Sequence, residues 1–115
     1  MFTGIITHTG TVAGKTRTTL AVRAERDILR SLKKGGSIAV DGVCLTVIKK
    51  TANSFSADVM TETSESTNLS SLTAGSVVNL ELPATPGTFL SGHIVQGHVD
   101  GVGVVKTIRK GGAQT

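Results

Sequence analysis

The sequence has no tryptophan and no tyrosine, and only three phenylalanines in 115 residues. Aromatic area cannot carry the core, so Val, Ile, Leu and Ala must fill it. The same gap counts against a protein that reads single-stranded nucleic acid, because bases need flat side chains to stack on. Cysteine is almost absent. Cys44 stands alone, so an internal disulfide is unavailable and a reducing compartment is expected. No apolar run approaches the ~18 residues of a membrane-spanning helix. Met1 leads straight into Phe2-Thr3-Gly4, without the basic and apolar regions of a secretory leader. Together these features predict a cytoplasmic chain with no membrane partner.

What the sequence does have is glycine, threonine and short apolar runs. There are 14 glycines, which suit tight turns and close backbone approach. Threonine favours strands over helices. Twelve Lys and Arg against eight Asp and Glu give a formal charge of +4. The basic residues are dispersed from Lys15 to Lys110, which predicts a solvated surface rather than a nucleic-acid stripe.

The apolar residues alternate in short segments. Strand-like stretches run from Phe2 to Val12, Thr18 to Val22, Ser37 to Val40, Val43 to Ile48, Ser54 to Met60, Ser76 to Leu82 and Ile94 to Val105. Asp41-Gly42 lies between two of them and suits a two-residue hairpin turn. Many short strands with turn signals between them predict an all-β sandwich or barrel. One amphipathic helix is expected over Glu25 to Lys33, stopped by Gly35-Gly36. A single turn is expected at Asn68 to Leu72, capped by Thr67 or Asn68. Pro83 and Pro86 interrupt the strand pattern and mark a loop, since proline is excluded from central strands.

After that loop the chain starts to repeat itself. Setting Gly4 against Gly97 places Gly10 on Gly103, Val12 on Val105, Ile6 on Val99 and Phe2 on Val95. This predicts a second copy of the first unit. The repeat contains SGHIVQGHVDGVG, Ser91 to Gly103, which carries two of the three histidines. His93 and His98 are five apart in a strand-like stretch, so their side chains point to opposite faces. Asp100 shares the parity of His98 only, and no Cys or Glu stands nearby at ligand spacing. No metal site is expected there. His8 is read as a surface residue.

The opening MFTGII, the central GVCLTV (Gly42 to Val47), MTETSESTNL (Met60 to Leu69) and GHIVQGHVDG (Gly92 to Gly101) resemble riboflavin synthase, in that order and at its spacing. The resemblance implies a six-stranded Greek-key β-barrel with one or two short helices. It assigns residues 1–92 to the N-terminal lumazine-binding barrel, with 83–91 as linker, and 93–115 to the first strand of a second, truncated repeat. Two departures stand out: Glu65 where the family usually has a basic residue, and Ser91 where it has glycine.

The resemblance also implies an activity. Riboflavin synthase dismutates two molecules of 6,7-dimethyl-8-ribityllumazine. A four-carbon unit passes from one to the other and gives riboflavin and a pyrimidinedione, with no metal or organic cofactor. By the same resemblance the ring meets Gly4, Ile5 and Ile6, then Cys44, Leu45 and Thr46, while Phe2 is expected over the ligand or the neighbouring barrel. The ring also meets Asp58, Val59, Met60, Thr61, Glu62 and Thr63, and finally Gly97, His98 and Val99. His98 is the expected proton carrier, since imidazole titrates near neutral pH. Cys44, on the opposite face from Val43, Leu45 and Val47, is a pocket-lining thiol or the nucleophile. Ser37 and Thr63 are expected to position water or polarise a ring carbonyl. The partners expected are the ribityllumazine or riboflavin itself and a second copy of the chain in a homodimer, where the full-length family forms trimers. A non-catalytic lumazine or flavin carrier of the same fold is the alternative reading. A barrel binding nucleic acid through its basic surface is a second rival.

Overall fold

The computed structural model describes residues 1–60, 67–85 and 94–109. Six antiparallel strands, β1 (His8–Lys15), β2 (Thr19–Arg23), β3 (Ser37–Val40), β4 (Val43–Lys50), β5 (Ser54–Asp58) and β6 (Val77–Glu81), close into a barrel. Their order around it is β1-β2-β5-β4-β3-β6. Of the all-β sandwich or barrel that the pattern predicts, the chain forms the barrel, with the six strands that the resemblance implies.

Alternation builds the wall. Val43, Leu45 and Val47 of β4 turn inward and are buried, while Thr46 and Ile48 turn outward. Phe55 and Ala57 of β5, Leu20 and Val22 of β2, and Val78 and Leu80 of β6 complete the filling. Side chains alternate faces along a strand, so each strand gives half of itself to the core. The β3–β4 hairpin turns at Asp41 (φ 48°) and Gly42 (φ 80°), the paired left-handed conformation that a two-residue turn demands. Asp41 also ties the turn to its surroundings, since its carboxylate accepts from the Asn79 N–H at 2.7 Å and from Asn68 Nδ2 at 3.2 Å.

Two short helices add to the core. Helix α1 (Arg26–Ser31) contributes Ile28 and Leu29, followed by Leu32. It is shorter than the sequence predicts, because backbone at Leu32 is already extended. Lys50 at the end of β4 caps its last turn, donating to the Leu29 and Leu32 carbonyls at 2.9 and 2.7 Å. A 3₁₀ turn (Asn68–Ser71) contributes Leu69, and its expected cap is Thr67: the hydroxyl accepts from the Leu69 N–H. No helix among the described residues is long and apolar enough to cross a membrane.

Two expected strands take a different form. The first runs from His8, not from Phe2. Phe2 instead makes an isolated antiparallel bridge with Val95, exchanging two hydrogen bonds of 2.7 and 2.8 Å. That bridge is also all the regular structure in the described part of 94–105, where a strand was expected. The reason is closure. A strand needs an unpaired edge, and a six-stranded closed barrel offers none. Val102, Val104, Val105 and Ile108 consequently stand exposed.

Candidate functional site

The outward face of β3, β4 and β5 gathers several of the sequence-predicted residues. Ser37 pairs with Thr46, and Thr46 pairs with Asp58, in one register across three strands. Neighbouring strands lie about 4.8 Å apart, so this row presents a hydroxyl, a hydroxyl and a carboxylate at regular intervals. One pleat along β4, Cys44 faces the same side and is half-buried. It sits opposite Ala39, which in turn pairs with Glu81.

The segment from Val95 to Val99 lies against this face. The Cys44 N–H donates to the Gly97 carbonyl at 2.8 Å. Gly97 has φ +83°, and a methyl group placed on it would come within 3.0 Å of Cys44 Cβ and 3.3 Å of Phe2 Cε2. Gly97 is thus packed closely on both Cys44 and Phe2. Phe2 is 1% exposed yet lies outside the barrel core. It is packed between the barrel wall and the crossing segment. His98 follows Gly97 and is exposed, in a depression of about 410 Å³ shared with Gly42, Val95 and Val99.

The remaining predicted residues divide. Leu45 and Val59 are 3% exposed and belong to the core. Their inward parity means that a ligand on the outer face meets only their backbone. Met60 is exposed at the end of the same face. Ile5 lines a cleft of about 630 Å³ together with Ser37, Glu81 and Pro83. Ile6 opens instead onto a separate depression beside His8 and Asp27. Thr61, Glu62 and Thr63, like Glu65, Ser91 and His93, lie outside the described residues.

Sequence reasoning missed two polar clusters. Glu81, at the end of an apolar strand, is 5% exposed and receives three donors from Thr3 and Gly4. Nothing local marks it, since its partners stand at the other end of the barrel sequence. The second cluster contains His8, which is partly buried and not merely superficial. Its Nε2 lies 2.8 Å from Asp27 Oδ2, and its Nδ1 lies 2.8 Å from Thr7 Oγ1. Glu25 is close enough for the three residues to present ligand atoms within 4.8 Å of one another.

The hydrogen bond from His8, followed by that from the Ile28 N–H, holds the Asp27 carboxyl below its ordinary value of 3.8. A lowered folded value means that the ionised form is the one the fold favours. Its contribution is complete above the ordinary carboxylate value and is lost as pH falls through the lowered one. Asp27→Asn should therefore be less stable than the parent at neutral pH. In urea melts the gap should close as pH drops from about 5 to about 2. A gap that persists at the acid end would assign the loss to helix packing instead.

Comparison with known proteins fits this geometry. A model of the lumazine binding domain matches residues 3–83. The chain belongs to the lumazine-binding domain family. Among curated relatives, riboflavin synthase of Bacillus subtilis is 43% identical over 114 residues, covering 96% of this chain and 53% of the relative. Riboflavin synthase of Mycobacterium tuberculosis is 46% identical over 109 residues, covering 91% of this chain and 54% of its own. The chain spans about half the length of the curated relatives it matches. The crystal structure of LumP complexed with 6,7-dimethyl-8-(1'-D-ribityl) lumazine superposes with a TM-score of 0.77 at 28% identity, over 88% of this chain and 58% of that one. LumP complexed with riboflavin gives 0.76, also at 28% identity, over 88% of this chain and 56% of that one. This lumazine-binding barrel therefore shares its fold with proteins solved with both ligands.

Proposed function

We propose that the outer face of β3–β5, together with the Val95–Val99 segment, binds one ribityllumazine or riboflavin, and that this barrel serves the riboflavin synthase reaction. The observation that carries the reading is that Cys44, whose N–H donates to the Gly97 carbonyl beside His98, stands one pleat along β4 from the Thr46–Asp58 pair, in a chain 43% identical to a riboflavin synthase over 114 residues. Backbone beside a glycine can come close to a flat heterocycle. The Ser37–Thr46–Asp58 row offers a ribityl chain a succession of hydrogen-bond partners. A neutral polyol calls for such partners rather than for net charge.

In the dismutation the four-carbon unit lost by one lumazine is gained by the other, so carbon and electrons balance between the two substrates. No metal or organic cofactor is called on. The residues of this chain orient one ring and move protons. His98, exposed beside the face, is the proton carrier. Cys44 packs against the ring edge, and Ser37 and Thr63 position water or polarise a ring carbonyl. Holding two rings face to face is an orientation effect, which can supply several kcal/mol of a barrier reduction, on the order of 7–11 in well-oriented systems.

The second ring needs a second face. A two-fold pair of these chains supplies one, and the exposed Met60, Val102 and Val104 favour such a pair over a free monomer. The working place is the cytoplasm.

Fluorescence titration with riboflavin and with 6,7-dimethyl-8-ribityllumazine tests the reading. Saturable quenching at one ligand per chain is expected, and no quenching by either ligand refutes it. Pyrimidinedione release on mixing with the lumazine separates an enzyme from a carrier. Cys44→Ser should keep binding and slow turnover by roughly tenfold, the scale set by weakening a single polar interaction. Complete loss of turnover with binding intact would make the thiolate the nucleophile.

A further inference from the structure

Glu81 is a carboxylate at the end of β6, buried where the alternation of the strand calls for an outward side chain. Burying a charge is costly unless it is fully hydrogen-bonded. Here the bonds are present. Oε2 accepts from the Thr3 N–H at 2.7 Å and from the Thr3 hydroxyl at 2.8 Å, and Oε1 accepts from the Gly4 N–H at 3.1 Å. The Ile5 N–H donates to the Thr3 hydroxyl oxygen at 3.1 Å. Three successive amides therefore curl around one carboxylate and its hydroxyl partner, the concave arrangement that suits an anion. An apolar residue would fill this place without the desolvation cost, but it could not fix the path of residues 3–5.

That path leads to the ligand face. Thr3 follows Phe2, and Phe2 exchanges both backbone hydrogen bonds with Val95. Two residues on, the Gly97 carbonyl takes the Cys44 N–H, and Gly97 packs on Cys44 and Phe2. We propose that Glu81 is the positioning residue of the ligand face: through Thr3 and Gly4 it fixes Phe2, and through the Phe2–Val95 bridge it holds Gly97 and His98 beside Cys44. Oε2 accepts two of these bonds and Oε1 one, and it is through Thr3 and Gly4 that Glu81 acts on the ligand face. The proposal rests on the binding reading above for its consequence, though not for its geometry.

The test is made on the 115-residue chain with Glu81→Gln, which keeps one acceptor oxygen and puts an amide NH₂ where either the Thr3 or the Gly4 N–H needs the other. Amide hydrogen exchange at Phe2, Val95 and Cys44 should quicken about tenfold or more, while Leu20 and Ala57 in the β2–β5 pairing keep their protection. The dissociation constant for riboflavin should rise about tenfold. Unchanged exchange at the three amides overturns the proposal. So does equal loosening of β2 and β5, which would make Glu81 a general stability residue. Should Glu81→Gln fail to fold, Thr3→Val removes the hydroxyl from the same cluster at nearly constant volume. It should give the same exchange pattern, and Thr3→Ser should restore protection. A parent chain that binds no riboflavin sinks the binding reading alone, because the exchange pattern still decides the role of Glu81.

Discussion

Gly10→Ala is expected to destabilise the barrel by about 3 kcal/mol or more, at the upper end of what overpacking a core costs. Gly10 lies on β1 opposite Val78 and faces inward with Val12. A β-carbon there would lie 2.7 Å from Val22 Cγ1, 2.8 Å from the Arg23 carbonyl oxygen and 2.8 Å from Leu80 Cδ1. The two methyl groups can rotate away, at a cost in packing. The Arg23 oxygen cannot, because it belongs to the strand with which β1 is paired. For a domain of this size the melting temperature should fall by more than about 10 °C. Gly14→Ala is the control. It lies on the same strand, and an added β-carbon meets nothing within 4 Å, so its effect should stay within about 0.5 kcal/mol. Equal melting temperatures for the two variants would mean that β1 slides outward without resistance.

Gly97→Ala should do the opposite, with a small change in stability and a large one in binding. Its φ of +83° is one that L-residues adopt at a cost of about 1–2 kcal/mol. Its β-carbon would press to 3.0 Å on both the Cβ and the backbone nitrogen of Cys44. With backbone of β4 on one side, the segment is expected to yield by a few tenths of an ångström, which strains the Cys44–Gly97 hydrogen bond and shifts His98. Riboflavin affinity should drop at least tenfold, measured by fluorescence, on the scale of one such hydrogen bond. The barrel core, which excludes Gly97, should melt within a few degrees of the parent. Gly4→Ala separates the two causes. Gly4 has φ +81° but open space around it, so this variant carries the backbone strain without the collision. Affinity that survives Gly97→Ala would place the ligand away from this segment.

The wall of the barrel was legible in the sequence because its signals are local. The alternation in Val43–Val47 and Phe55–Val59 names the inward side chains, and Asp41-Gly42 names its own turn conformation. The resemblance in GVCLTV and GHIVQGHVDG brought Cys44 and His98 into one expectation, and their segments do meet through Gly97. Pattern could not disclose contacts between distant positions. Thr3 and Glu81 are 78 residues apart, and neither has a neighbour that betrays a buried carboxylate. The burial of Phe2 outside the core has the same origin. Its residue type says that it will be covered, but not by what. The 94–105 stretch misled for a further reason, since strand propensity describes a chain looking for a partner and a closed barrel has no edge to lend.

One contact is made between counterparts. Setting Gly4 against Gly97 in the sequence places Phe2 on Val95, and each gives its N–H to the other's carbonyl. Gly4 and Gly97, two residues beyond each partner, have nearly equal φ angles of 81° and 83°. A pair that looks unchanged when its members are exchanged has a diad between them. Such reciprocal exchange is what any hydrogen-bonded antiparallel pair makes, so the local two-fold is a property of the bridge itself. A strap built on such an axis is indifferent to whether its second arm comes from the same polypeptide or from a neighbour's. Exchange of the 1–6 segments between molecules would preserve every hydrogen bond of the bridge.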